Sequence, residues 1–251
     1  MVFLLRLAGL RQEIFDEPKT RCLSTSPPSS EPMSRSTFRW DDKVSNRAKI
    51  RPDNQLKKLC SPFLGKDDMV LLGGGLPNAQ AFPFVSFEAK ITGGEEVKVT
   101  EGNGLRLALQ YNGAGVKSLT AWCRDFMEEY VKPASKGWDV VPTAGSSDAI
   151  EKLCGLLLNP GDVVLTEDHT YSAALSNIRG VGAKACGVAA DELGIIPEKL
   201  EEKCQALAEK KASFVGIYLI PVGANPSGAV MSEERIKQIY DIAPKYDLWI
   251  M

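Results

Sequence analysis

Apolar and polar positions change rhythm along this chain near Ser118. From there Leu119, Trp122, Cys123, Phe126, Met127 and Tyr130 recur at helical spacing, which predicts a helix over 118–131 with one buried face. Val140-Val141-Pro142 then predicts a strand, and a Gly145 turn leads into a helix ending near Leu158, with Ser146 or Ser147 as its cap. Val163-Val164-Leu165-Thr166 is apolar on both sides, as in a strand covered on both faces of a parallel sheet. The pattern continues with helices over 172–179, 197–211 and 232–243, and strands over 185–188, 214–220 and from 247 onward. Strands alternating with helices predict an α/β fold, a mostly parallel sheet with helices on both faces.

The preceding third is organised differently. Residues 1–36 close in Ser-Pro-Pro-Ser-Ser-Glu-Pro, a linker composition, and read as a disordered leader or a targeting segment. Arg21-Cys22-Leu23-Ser24-Thr25-Ser26 resembles the surroundings of a mitochondrial cleavage site, whereas Glu13, Asp16 and Glu17 are acidic where transit peptides are acid-poor. A cytoplasmic location is expected, with a mitochondrial one left open. Residues 37–110 read as an N-terminal arm and a loop segment. Helical stretches at 41–49 and 54–60 are separated by Arg51-Pro52, and they are too polar to form a core of their own. Met69-Val70-Leu71-Leu72 runs into Gly73-Gly74-Gly75, and the segment 91–104, with Val97 and Val99 alternating, predicts an exposed hairpin. Residues 111–251 form the main α/β domain, expected to stop before its end.

Composition narrows the classes of function. A formal net charge of −2 gives no basic face, so nucleic acid is not an expected partner. No apolar run is long enough for a membrane helix. The six cysteines form no C-x-x-C pair and there is one histidine, His169, so neither a disulfide framework nor a metal site is expected.

Ligands of open α/β sheets sit beyond the carboxyl ends of the strands. Three loops occupy such positions: Gly145-Ser146-Ser147, His169-Thr170-Tyr171 and Ala224-Asn225-Pro226. The first offers helix-start amides and hydroxyls to a phosphate, the second an aromatic ring, the third an amide held by proline. Together they suit a flat, phosphorylated, ring-bearing cofactor. A nicotinamide-binding reading is disfavoured, because no G-x-G-x-x-G follows a strand.

The ordered motifs Gly-Gly-Leu-Pro-Asn (74–78), Leu-Gln-Tyr (109–111), Gly-Ser-Ser (145–147), Thr-Tyr (170–171) and Asn-Pro-Ser-Gly (225–228) resemble those of the fold-type-I pyridoxal-phosphate aminotransferases. Within that family the chain is most similar to the fungal aromatic and the 2-aminoadipate/kynurenine branch, from about Trp40 to Met251. The resemblance implies transfer of an amino group from an aromatic or 2-aminoadipate-like amino acid to a 2-oxo acid, with pyridoxal 5'-phosphate as cofactor and a homodimeric full-length parent. It implies that Gly145, Ser146 and Ser147 hold the cofactor phosphate, that Tyr171 stacks on its ring and that Asn225 donates to its phenolic oxygen. Gly75 would line the amino-acid site, Tyr111 would reach the partner's site, and the arm 39–59 would cover the substrate.

The sequence departs from the family at several points. Ser227 replaces the usual threonine, Ala224 a residue that is often polar, and Ser147 a common glutamine. The Schiff-base lysine, the acidic partner of the pyridine nitrogen and the carboxylate-binding arginine would all follow the strand that begins at Leu248. No catalytic residue is therefore expected here, the chain reads as C-terminally truncated, and it should be inactive alone. The alternative is a non-catalytic product that binds partners or poisons the dimer of a longer chain.

Overall fold

A computed structural model describes residues 2–6, 40–63, 66, 68–69, 72–73, 75–100, 104–111, 113, 115–133 and 137–251. Most of the leader, together with Val70, Leu71 and Gly74 of the glycine loop, lies outside the described residues. Two compact units emerge, one holding the arm to Ile50 with Thr143–Met251, the other Val2–Arg6 with Arg51–Pro142.

The leader contributes one described strand, β1 (Val2–Arg6). Helices α1 (Trp40–Lys43) and α2 (Asn46–Lys49) are separated by Ser45, which is fully buried. Its backbone N–H donates to Leu156 O at 2.7 Å and its hydroxyl to Gly155 O at 2.8 Å, while the same oxygen accepts from Ala48 N at 3.2 Å and caps α2. One serine thus breaks the predicted arm helix, restarts it and docks it. Helix α3 (Gln55–Cys60) follows, capped by Asn54 as the pattern requires.

The second unit continues with the hairpin of β2 (Ser86–Lys90) and β3 (Glu96–Thr100), where Phe87 faces Val99 and Ala89 faces Val97. After α4 (Leu105–Ala108) comes α5 (Lys117–Phe126), prolonged by a wide turn over Met127–Val131. Only Cys123 and Met127 of this helix are buried, against Trp138 and Val140 of β4 (Trp138–Pro142). The expected single buried face is therefore narrower. Trp122, Phe126 and Tyr130 form an exposed stack, with ring centroids 5.5 and 4.8 Å apart. β4 alternates buried and exposed positions and pairs antiparallel with β1.

The first unit holds the α/β core. It runs through α6 (Ser146–Leu157), β5 (Val163–Glu167), α7 (Ser172–Gly180) and β6 (Lys184–Val188) to a small hairpin of β7 (Ala190–Asp191) and β8 (Gly194–Ile195). Then come α8 (Pro197–Glu209), β9 (Phe214–Ile217), α9 (Glu233–Ile242) and β10 (Trp249–Ile250). The strands form one parallel sheet in the order β10-β9-β5-β6. β5 is buried along its whole length because both faces are covered. Leu165 packs with Leu200 and Cys204 of α8 and Ile239 of α9; Val164 packs with Ile150 and Cys154 of α6 and Ala174 and Ile178 of α7. The parallel sheet and its helices are those the spacing predicts, with the β7–β8 hairpin as an addition; β4, the strand before the Gly145 turn, was expected in that sheet but among the described residues pairs only with β1. No helix among the described residues is long and apolar enough to cross a membrane.

Gly216 is fixed by packing. It faces Trp249 across β9 and β10, and a Cβ there would lie 2.2 Å from the indole. Since a buried indole cannot yield as a flexible side chain can, Gly216→Ala should cost about 1–3 kcal/mol, read as a lowered urea midpoint with an unchanged slope.

Candidate cofactor site

The turn before α6 is built by backbone. Gly145 takes the cap position at φ 152° and ψ −179°, a region that side chains other than hydrogen rarely enter. Neither serine caps the helix as expected; Ser146 is already its first residue. Neighbours close the turn instead: the Thr143 hydroxyl donates to Gly145 O at 3.1 Å, and the Asp148 carboxylate accepts Ala144 N–H at 3.0 Å. The first backbone bond of the helix runs from Ala149 N to Gly145 O at 3.1 Å. The amides of Ser146, Ser147 and Asp148 precede it and so have no acceptor within the helix. They point, with the positive end of the helix dipole, out of the start of α6.

Asp148 would put negative charge at this cup. Its carboxyl is held below the usual range by a hydrogen bond from Lys152 one turn on and by the Ala144 amide. Lys152 offsets its charge.

Tyr171 is the residue before α7 and packs against the cluster that contains Ile150 of α6. Its hydroxyl lies 3.2 Å from the Ser147 hydroxyl, so the structure brings the predicted cup and the predicted stacking ring together. Asn177 of α7 supports the same turn, donating to Ser147 O at 3.4 Å. Asn225 lies elsewhere along the sheet edge, on the loop that leaves β9, the neighbour of β5. That loop is tied by Ala224 N to Ala229 O at 2.9 Å and Met231 N to Pro221 O at 2.8 Å, which leaves Asn225 at an exposed tip.

Gly75 and Tyr111 belong to the other unit. Gly75 has φ 61° and is exposed; Tyr111 is 71% exposed. Their segments are joined by Gln110, which donates to Pro77 O at 2.9 Å and accepts Tyr111 N–H at 3.1 Å.

Several polar groups at the same sheet edge were not foreseen. Glu167, the last residue of β5, is 2% exposed and both its carboxylate oxygens are buried without a hydrogen-bond partner. Burial pushes its carboxyl above the ordinary range. Thr170 Oγ1 is likewise buried and unpartnered. The Tyr218 phenol, just past β9, is pushed up to about 12 by burial, with Tyr171 and Glu167 adding to the shift. Glu167 was readable: the alternation Val163, Leu165, Glu167 directs it inward on the same side as Leu165. A cavity of about 340 Å³ lies at the far end of α6, lined by Asn46, Arg47 and Asn159, away from these groups.

The family model for aminotransferase class I and II matches residues 95–251, more than half of the chain. The chain belongs to the class I and II aminotransferases. It is 32% identical over 200 residues to a mitochondrial kynurenine/alpha-aminoadipate aminotransferase of Rattus norvegicus, a match covering 73% of this chain and 46% of the relative. An aromatic amino acid aminotransferase of Schizosaccharomyces pombe is 29% identical, with 73% and 44% covered. Among solved structures, the aminotransferase Aro8 of Candida albicans aligns with a TM-score of 0.78 at 30% identity, over 84% of this chain and 49% of that one. This aminotransferase chain thus spans about half the length of the curated relatives it matches. The α/β fold and the family identified from the motifs are both borne out.

Pyridoxal phosphate is the cofactor of this family, and the Gly145–Ser147 turn fits it. The turn has three amides without a helical acceptor, a glycine whose absent Cβ would face open space, and a phenol beside the cup. Two lysines follow Asn225, Lys237 and Lys245. Lys245 donates to Glu201 at 2.9 Å, which raises its pKa, the opposite of what a nucleophilic amine needs, and Lys237 lies on the exposed side of α9.

Proposed function

We propose that this chain provides the cofactor-phosphate cup of a pyridoxal-phosphate-dependent transaminase. The parent reaction would pass an amino group from an aromatic or 2-aminoadipate-like amino acid to a 2-oxo acid. The cup beside Tyr171 carries this reading. The amides and hydroxyls of Gly145, Ser146 and Ser147 would hold the phosphate. Tyr171 would stack on the ring and Asn225 would donate to its phenolic oxygen. Gly75 would line the amino-acid site, and Tyr111 would serve the site of a partner in a homodimeric parent. The bound cofactor supplies the electron sink. The amino-donor class rests on the names of the relatives, and a mitochondrial location on the name of one of them.

These 251 residues alone should bind the cofactor without turning over substrate, because Lys237 is exposed on α9 and Lys245 is paired with Glu201, which leaves neither of the lysines after Asn225 suited to the covalent link. Absorbance titration with pyridoxal phosphate should show saturable binding for which inorganic phosphate competes. Borohydride treatment should leave no cofactor attached. A borohydride-stable lysine adduct would contradict the inactivity, and absence of saturable binding would contradict the cup.

A further inference from the structure

The loop that carries Asn225 rests on the β7–β8 hairpin, an element that neither the hydrophobic spacing nor the family motifs include. The loop leaves at Pro221 and returns at Met231, whose N–H donates to Pro221 O at 2.8 Å, and a bridge between Val222 and Val230 closes it beside that bond. Met231 is therefore the foot of the loop. It is buried, and its side chain lies on the backbone of Gly194, the first residue of β8. A Cβ at Gly194 would sit 2.6 Å from Met231 Cε and 2.9 Å from its Cγ, and 3.5 Å from Oε1 of Glu167 at the end of β5. Gly194 also has φ 85°. A glycine meets both demands, the positive φ and the close approach of the methionine.

The same stretch of chain grips Gly194 a second time. Arg235, in the first turn of α9, donates to Gly194 O at 3.2 Å and pairs with the Asp191 carboxylate of β7. That bond is the main reason the Asp191 carboxyl lies below its ordinary range. Asp191 Oδ1 also accepts the Leu193 N–H at 2.8 Å, which ties the hairpin turn to the same pair. The hairpin, the foot of the loop and the start of α9 are thus joined to one another by side-chain contacts.

We propose that Met231 is a positioning residue for Asn225, with the β7–β8 hairpin as the platform on which it stands. Bonds inside the loop, Ala224 N to Ala229 O at 2.9 Å and Gly228 N to Ala224 O at 2.5 Å, keep its shape. The foot sets its direction, and with it the place of the Asn225 amide at the exposed tip. A loop held in this way has less freedom to lose when a ligand arrives, and such preorganisation lowers the ordering cost of binding. The inference rests on the proposed role of Asn225 at the cofactor for its purpose, though not for its geometry.

The test reads the side-chain amide of Asn225 in 15N-labelled protein, assigned by Asn225→Asp. Without cofactor, its resonances should move in Met231→Ala, which withdraws the foot. They should also move in Arg235→Gln, which unclasps the hairpin and leaves every residue of the loop intact. Met231→Leu keeps the volume and should leave them in place. The Ser146 and Ser147 backbone amides should stay unmoved in all three. The affinity of Met231→Ala and Arg235→Gln for pyridoxal phosphate should fall about three- to tenfold, the value of one hydrogen bond. Their affinity for inorganic phosphate should stay the same, because phosphate alone needs only the cup. Unmoved Asn225 resonances in Arg235→Gln overturn the proposal, whatever the affinities. Equal losses for pyridoxal phosphate and for phosphate overturn it too, because a general loosening of the fold would do that. Should Met231→Ala fail to fold, Arg235→Gln decides alone. If wild type fails to bind pyridoxal phosphate, the cofactor reading falls and the Asn225 resonances still judge the positioning.

Discussion

A Gly145→Ala chain is expected to bind pyridoxal phosphate at least about tenfold more weakly than wild type, with its fold retained. The reason is conformational. A Cβ at Gly145 would meet no atom within 4 Å, so space is not the obstacle. The backbone angles are: φ 152° with ψ −179° is a glycine region, and holding another residue there costs about 1–3 kcal/mol. The chain escapes that cost by rotating the peptide ahead of Ser146. This turns the first amides of α6 away from a common point and breaks the Thr143 bond to Gly145 O. An anion loses several donors at once, whereas the remainder of α6, buried through Ile150 and Cys154, stays in place. Calorimetric titration with pyridoxal phosphate and with inorganic phosphate reads the effect, and both should weaken together. Unchanged affinity would mean that the phosphate does not sit at this turn.

The second large effect concerns Glu167. An ionised carboxylate without a partner is expensive inside a protein. Burial raises the folded pKa of Glu167 above its unfolded value. The sign follows from linkage. Where the folded pKa is the higher one, the protonated form favours the fold, so stability is greatest below the unfolded pKa. It declines as pH climbs from the unfolded towards the folded value, and above both the loss is constant. Glu167→Gln removes the ionisation. It should therefore stabilise the chain by about 1–2 kcal/mol at neutral pH and remove that part of the decline above the ordinary carboxylate range. Urea midpoints of the two proteins measured from acid to neutral pH should diverge with rising pH. Parallel curves would mean that Glu167 finds a counter-charge.

Much of the architecture was legible because its physics is local. Val163–Thr166 announced a doubly covered strand by having no polar face, and Ser232 announced α9 through the cap that it makes with Arg235 N. Hydrophobic spacing alone could not say how much of a helix face finds a neighbour. Leu119, Trp122, Phe126 and Tyr130 keep perfect helical spacing, yet the Trp138–Val140 surface covers only Cys123 and Met127. The cup was legible as Gly-Ser-Ser, but the identity of the cap was not. It depends on Thr143 and Asp148 closing the turn so that Gly145 takes the cap position and the serines are freed. Tyr171 was found at its strand end by topology, and its bond to Ser147 is a fact of three dimensions. Glu167 and Tyr218 escaped notice because single polar residues at the ends of apolar strands look like ordinary strand termini. Both are buried in the structure, and the two carboxylate oxygens of Glu167 have no hydrogen-bond partner there.

The central claim is that the amides opening α6 receive the phosphate of pyridoxal phosphate. Amide chemical shifts in 15N-labelled protein test it residue by residue during a titration with that cofactor. The Ser146, Ser147 and Asp148 resonances should shift first and furthest, saturate together, and move in the same direction with inorganic phosphate. Shifts confined to other parts of the chain, with these three amides unmoved at saturation, would contradict it.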